Sequence, residues 1–545
     1  MNDIHFGPVI SARGCLVALK VVMLALILCI GPTISGRPTQ QKGSDTLSYK
    51  ETYRPQFHFT PEKNWMNDPN GLVYFDGEYH LFYQYNPFGI KWGHMSWGHA
   101  VSRDLVHWQH LPVALPEENG VMIFSGSAVV DEKNTSGFGL GGKPPIVAIY
   151  TGFHPAGGRQ DQRIAYSTDR GRTWTMYSGN PVIDIKSTDF RDPKVFWYEP
   201  GKRWIMAVVL AAEHKVSFYA SPDLKRWTHL SDFGPAGAIG GAWECPDLFE
   251  LSVDGKPGQT KWGLIVNVNP GGVAGGSGAQ YFIGSFDGMR FSLDEVKDTA
   301  RWVDYGKDFY AVVSWSNVPL KDGRRLLIGW MNNWEYGQEI PTSPWRSAQS
   351  IPREAQLKTY SDGLYLVQSP VMELQSLRQS HYTLSNKLIA AGSDPLTGQR
   401  IKGKTLEIIA TFEPGTATEF GLKVRKSAKE ETVVGYDVTA AELFIDRSRS
   451  GNVAFDQHFP GKHSGPLPAD RGRIKLHLFV DWSSVEVFGN DGRTVITDQI
   501  FPNAEADGLA LYVEGGVAKL ISLDVWGLES VRKTRPASTQ RRGVT

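Results

Sequence analysis

Four segments in the first three hundred residues of the chain follow one plan. A β-type run ends in Ser, Asp stands two residues later, and an aromatic residue opens the next run. They are Ser102-Asp104-Trp108, Ser167-Asp169-Trp174, Ser221-Asp223-Trp227 and Ser285-Asp287-Phe291. Asp at such a place bonds its own backbone and turns the chain, while the ring packs the returning strand. The copies recur at intervals of roughly 60 residues, above the ~40–50 of common propeller blades, which implies long loops. Hairpins repeated in this way restrict the chain to a β-propeller of four-stranded blades. Four marked blades, plus the strand-like stretch from Tyr310 to Val367, give five.

A second β domain is expected to follow. Alternating patterns at Thr405–Phe412, Glu431–Val438, Glu442–Ile445, Arg473–Val480 and Ser484–Phe488, with the hairpin turn Asn490-Asp491-Gly492, read as a β-sandwich. The expected organisation is all-β. A propeller spans 51–368, a linker with a short helix 369–382, a sandwich 383–528 and a solvated, disordered tail 529–545. The 17 Trp and 12% aromatic residues fit many short strands, and most of these rings are expected in the core.

Arg13 and Lys20 precede the apolar run Val21–Gly31, and small and polar residues continue to Gly36. This is the order of a signal peptide over 1–36, cleaved near Ser35, with a flexible leader at 37–50. The run is short for a membrane span of about 20 residues. The expected location is therefore outside the cytoplasm, secreted or periplasmic, with no membrane attachment after cleavage. Of Cys15, Cys29 and Cys245 only the last remains, so no internal disulfide is expected. A formal net charge of +0 removes the electrostatic case for nucleic acid. No oligomeric state follows from the sequence.

Three acidic clusters carry the chemistry: NWMNDPNG at Asn64–Gly71, FRDPKVF at Phe190–Phe196 and WECPDLF at Trp243–Phe249. Inner strands of a propeller converge on an axis, so these clusters can meet. Converging carboxylates push one pKa up, leaving one group protonated and another ionised, as glycosidic cleavage requires. Taken singly, each Asp-Pro reads first as a turn or strand cap. Calcium on Asp68, Asp192 and Glu244 is a further reading, although no loop-type calcium spacing is present.

The clusters resemble the three signature motifs of glycoside hydrolase family thirty-two, which holds invertases, inulinases, levanases and fructan exohydrolases. FSGS at Phe124–Ser127, QYNP at Gln84–Pro87, IPRE at Ile351–Glu354 and DWSSVEVFGNDG at Asp481–Gly492 extend the resemblance from about Tyr53 to Trp526. It implies a five-bladed propeller with an appended sandwich. It also implies Asp68 as nucleophile, Glu244 as acid and then base, and Asp192 as the group that binds ring hydroxyls and stabilises the transition state. Asn67, Gln84, Trp92, Ser125, Arg191 and Trp334 would bind sugar. No metal or coenzyme is implied. His94 and His99 receive no role, and Cys245 is expected to be a buried, inert thiol.

The segments at Tyr53–Pro61 and Gly329–Gly337 look most like bacterial exo-acting levanases and inulinases. Release of terminal fructose from levan or inulin, and from sucrose, is the first expectation. A sucrose-specific invertase is second and a transfructosylase third. A non-catalytic fructan-binding protein and an arabinan-acting propeller hydrolase are the readings from other classes.

Overall fold

The computed structural model describes residues 49–294, 300–399 and 401–532. The expected signal peptide, all but Tyr49 and Lys50 of the expected leader, and the tail from 533 onward lie outside the described residues.

Five antiparallel meanders make the propeller. Their inner strands are Asn64–Phe75, Met122–Val130, Phe190–Tyr198, Ala242–Ser252 and Tyr310–Ser314. Each pairs with the next strand of its own blade, and each blade runs inner to outer in chain order. Stacking blade on blade buries both faces of the middle strands. That is why Ile146–Phe153 and Arg203–Leu210 are nearly continuous apolar runs rather than alternating ones. Trp345–Arg346, after the second strand of the fifth blade, lies parallel to the start of the first inner strand and joins the last blade to the first.

The Ser-Asp-aromatic repeat is the turn between the third and fourth strands of blades one to four. Ser102, Ser167 and Ser221 hydroxyls each donate to the Asp carboxylate two residues on. Trp108, Trp174 and Trp227 each donate an indole N–H to the carbonyl three residues back, at 3.0, 3.1 and 3.0 Å. In the fourth copy Asp287 accepts from the N–H groups of Met289 and Arg290, and Phe291 fills the ring position without a polar handle. Six Trp side chains, at 65, 97, 243, 315, 330 and 345, are among the largest fully buried groups.

The sandwich pairs a six-stranded with a five-stranded sheet. Alternate residues such as Ile408, Ala410, Phe412, Phe420, Leu422 and Val424 fill the space between them. One 3-10 helix, Met372–Leu377, links it to the propeller. The first sandwich strand, Arg378–Ala390, begins five residues before the expected boundary at Thr383. It is an edge strand pairing only with Val517–Leu528, and most of its side chains are exposed, so its sequence lacks the alternation a half-buried strand shows.

The expected solvated tail is also corrected at its start. Arg532 donates to the carbonyls of Pro55 and His58 and to the Thr60 hydroxyl. Ser530 donates to the Gln56 side chain. These bonds fasten residues 530 and 532 to the segment leading into the first blade. A basic run in a Pro- and Ser-rich end resembles a solvated tail locally; its partners lie more than four hundred residues away.

Sandwich and propeller meet through apolar and ionic contacts. Phe479, Phe488 and Val495 pack into the propeller core. His58 bonds Asp481 through Nδ1 (2.8 Å) and Glu486 through Nε2 (2.9 Å), all three fully buried. Arg353 joins Glu486 to Asp304, and Arg447 reaches Asp308.

Candidate active site

At one level of every blade, the pairing of the inner strand with its neighbour slips. The slips lie between Met66 and Pro69, Ile123 and Gly126, opposite Ala207 and Val209, between Glu244 and Asp247, and between Tyr310 and Val313. A bulge of this kind bends the strand and re-aims its side chains. Proline lacks the N–H that a ladder needs and so tolerates such a place, which accounts for Pro69, Pro193 and Pro246 beside the acidic residues. In blades three, four and five the bulge repeats in detail. Asp192, Cys245 and Ala311 take left-handed φ values of 65°, 44° and 51°.

The residues just before these three are Arg191, Glu244 and Tyr310, and they bond in sequence around the axis. Arg191 Nε donates to Glu244 Oε1 (3.1 Å). The Tyr310 hydroxyl donates to Glu244 Oε2. Arg191 Nη1 also holds Asp189 (2.6 Å). Glu244 keeps 22% of its side-chain exposure and Arg191 13%, so a ligand can reach both.

Beside this row lie the other two carboxylates. Asp68 Oδ2 accepts from the Ser125 hydroxyl (2.6 Å), and Oδ1 accepts from the Asn67 amide (3.0 Å). Asn67 is oriented in turn by the Trp65 indole N–H (2.7 Å). Asp192 Oδ2 accepts the Cys245 backbone N–H (3.0 Å), and the Asp192 N–H donates to the Thr151 hydroxyl (2.9 Å). The Cys245 sulfur lies 3.6 Å from Oδ2 of both Asp68 and Asp192. The structure therefore gathers the three expected carboxylates through shared neighbours.

The electrostatics follow from this crowding. Burial pushes the Asp68 carboxyl above its ordinary value and the nearby Glu244 adds to the rise; the Ser125 and Asn67 donors oppose both. Asp192 is also raised, first by burial and then by Glu244 and Asp68, against the Arg191 charge. Burial disfavours a charged Arg191, but Glu244, Asp192 and Asp189 outweigh it and keep the guanidinium cationic. Burial and the three carboxylates drive the Cys245 thiol well up, so it stays protonated at neutral pH.

The expected sugar-binding residues divide. Ser125, Asn67 and Arg191 contact the carboxylates. Trp334 lies against Trp330 (4.9 Å between ring centroids) and Trp65 (5.8 Å). Trp92 is 37% exposed, with its ring 6.0 Å from Phe124. Gln84 is nearly fully buried and its amide N–H donates to the Ile123 carbonyl (3.0 Å), so that nitrogen is committed to backbone. His99 is bonded to His80 inside the first blade (3.0 Å) and His94 to Glu117 (2.8 Å). Among the described residues, no three His, Cys, Asp or Glu groups are arranged as metal ligands.

Tyr310 and Thr151 were not expected. Tyr310 had a signal: it opens the fifth inner strand at the place Arg191 and Glu244 hold in theirs. Thr151 sits within a wholly apolar-looking strand and had none.

Two family models match the chain. That of the glycosyl hydrolases family 32 N-terminal domain covers residues 58–370, and the family 32 C-terminal model covers 373–527. A levanase of Bacillus subtilis is 55% identical over 92% of this chain and 74% of its own length. An extracellular exo-inulinase of Aspergillus ficuum is 44% identical over 89% of this chain and 96% of its own. The crystal structure of an exo-inulinase from Aspergillus awamori superposes with a TM-score of 0.84 at 43% identity, covering 89% of this chain and 99% of that one.

Proposed function

The chain belongs to family 32 of the glycosyl hydrolases, and from that premise we propose that it is a retaining β-fructofuranosidase. It releases terminal fructose from the fructans levan and inulin, and from sucrose. The observation that carries this is the gathering of Asp68, Asp192 and Glu244 on three propeller bulges, each carboxylate held by its own donors.

Asp68 attacks the anomeric carbon of the fructosyl unit while Glu244 protonates the departing oxygen. Glu244 then takes a proton from water, which displaces Asp68, so two inversions give net retention. Ser125 and Asn67 favour the ionised Asp68 that attack requires. Tyr310 and Arg191 fix the two oxygens of Glu244, and Arg191 also balances the local negative charge. Asp192, bonded through one oxygen to the Cys245 N–H, has its second oxygen for ring hydroxyls and the developing positive charge. Asn67 and Arg191 supply further hydrogen bonds to hydroxyls, and Trp92 and Trp334 supply flat apolar walls. Gln84, through its amide oxygen, is kept as a sugar contact. The chemistry uses no metal or coenzyme, so a chelator leaves turnover unchanged.

The levanase and exo-inulinase names among the relatives support a polymeric substrate ahead of sucrose alone. The extracellular relative supports export through the apolar N-terminal run, and among the described residues no helix is long and apolar enough to cross a membrane. A product time course on levan, inulin and sucrose tests the proposal. Free fructose accumulating from the start, without intermediate oligomers, is the expected result. Release from none of the three would assign the chain to fructan binding without cleavage.

A further inference from the structure

The inner strands carry the carboxylates near their starts and run away from them to the opposite mouth of the propeller. Among the described residues, nothing fills that mouth. It opens into a recess of about 540 Å³ lined by Phe196, Trp197, Trp262, Glu132, Glu250 and Arg325 among others, a volume typical of small-molecule sites. The recess continues into a larger groove that shares Glu132, Trp197, Asn317 and Leu320 with it. Between the two mouths the axis is closed. Lys194 bonds the Ser314 carbonyl (2.6 Å) and pairs with Asp247 (3.2 Å), and a cavity of about 10 Å³ is lined by Asp192 and Cys245.

The lining selects a chemistry. Phe196, Trp197 and Trp262 are half-buried rings. Over Trp197 sits the ammonium of Lys133, 4.4 Å from the ring centroid and on a side chain 51% exposed, so this face has a displaceable cover rather than a packed neighbour. Arg325 donates to the Trp315 carbonyl at 3.4 Å, lies over the Phe249 ring at 5.2 Å, and is offset in charge by Asp247 and Glu250. Lys133 is committed to Glu199 (2.9 Å) and Lys194 to Asp247. Each cation of the lining is therefore already balanced by a carboxylate, and Glu132 adds a further negative charge. An anion would meet no excess of positive charge here, and an apolar ligand would strand the charged groups. A neutral polyol finds donors, acceptors and flat rings together.

We propose that this recess is a second carbohydrate-binding site, which holds an internal run of neutral sugar units of a polymer at the mouth opposite the carboxylates. Naming the polymer as a fructan rests on the function proposed above. Such a site keeps the enzyme on a polymer after each terminal unit is released and contributes nothing to a disaccharide substrate.

The test uses the full chain carrying Asp68→Asn, so that turnover plays no part, and measures its retardation in gels containing levan, inulin or dextran. Retention by levan or inulin above dextran is expected, and Trp197→Ala weakens it about ten-fold, the loss usual for an aromatic anchor. Glu250→Ala, at an exposed position, weakens it in the same direction. With Asp68 restored, both variants hydrolyse sucrose at the parent rate, which also reports that they fold. Unchanged retention in Trp197→Ala and Glu250→Ala overturns the proposal. So does self-association that Trp197→Ala abolishes while polymer retention stays, since that assigns the recess to a second copy of the chain. Absence of fructose release from the unsubstituted chain would instead sink the hydrolase reading and leave the retention comparison readable.

Discussion

Glu244 and Asp68 differ in what surrounds them, and the difference predicts separate phenotypes. Both Glu244 oxygens accept from fixed donors, Arg191 and Tyr310. Glu244→Gln keeps the shape but cannot deliver a proton, so kcat on sucrose and fructans falls by about 10²- to 10⁴-fold. A fructoside whose leaving group departs unprotonated keeps most of its rate in the burst of first turnover. Equal loss on both substrates would remove Glu244 from the acid role. Asp68→Asn should abolish any trapped fructosyl-enzyme, which mass spectrometry of the intact chain reads directly; an adduct on another residue would reassign the nucleophile. The raised Asp68 carboxyl also fixes a pH sign. A carboxyl whose pKa is raised loses its charge earlier as pH falls, so kcat/KM should decline on the acid side through a limb above the ordinary carboxylate range of about 4. Cys245, buried and protonated, should leave activity unaffected by iodoacetamide at neutral pH.

The bulges are the elements that turn an ordinary inner strand into a site. Ala311 takes the left-handed conformation that Asp192 and Cys245 take, but it has no chemistry of its own, so it isolates the backbone requirement. It is fully buried. Ala311→Gly should stay within about 1 kcal/mol of the parent, because relief of strain offsets added chain entropy, whereas Ala311→Val should cost about 2–3 kcal/mol. Denaturant unfolding measures both. The Asn490-Asp491-Gly492 turn is a second case. It closes a sandwich hairpin and also docks on the last propeller strand, where the Gly492 carbonyl accepts the Gln368 N–H (3.1 Å). A Cβ on Gly492 would lie 1.5 Å from the Gln368 carbonyl oxygen. Gly492→Ala should therefore cost about 3 kcal/mol, more than a free hairpin turn would show.

For the whole molecule, the buried ions between propeller and sandwich set the pH range of stability. Burial opposes a charged His58, but hydrogen bonds and charge from Asp481 and Glu486 outweigh it and raise the imidazole from 6.5 to about 9. The folded pKa lies above the unfolded one. This contribution is therefore complete below about pH 6.5, declines above it and is gone beyond about pH 9. Asp481 and Glu486 are lowered in turn, against burial, by His58 and, for Glu486, Arg353, so their contribution is lost as pH falls. His58→Gln leaves two buried carboxylates short of a cation and should cost about 3–5 kcal/mol at pH 7. The difference in Tm from the parent should narrow between pH 7 and pH 10. A constant gap across that range would mean that His58 acts by packing alone.

The residues themselves determined the blade repeat, most sandwich strands, the Asn490-Asp491-Gly492 turn and the three carboxylates. These are written in local terms: turn residues at set offsets, apolar alternation, and an acid beside a proline. Only the tertiary structure decided that Tyr310 shares Glu244 with Arg191 and that Cys245 lies between Asp68 and Asp192. It also decided that Gln84 spends its amide nitrogen on backbone. The motifs around His58, Arg353 and Asp481 were legible as a family resemblance, yet their work at the domain interface was not. The edge strand from Arg378 and the docked Arg532 were misread for the same reason. An edge strand has no buried face to impose a pattern, and a contact spanning hundreds of residues leaves no periodicity in the chain on either side of it.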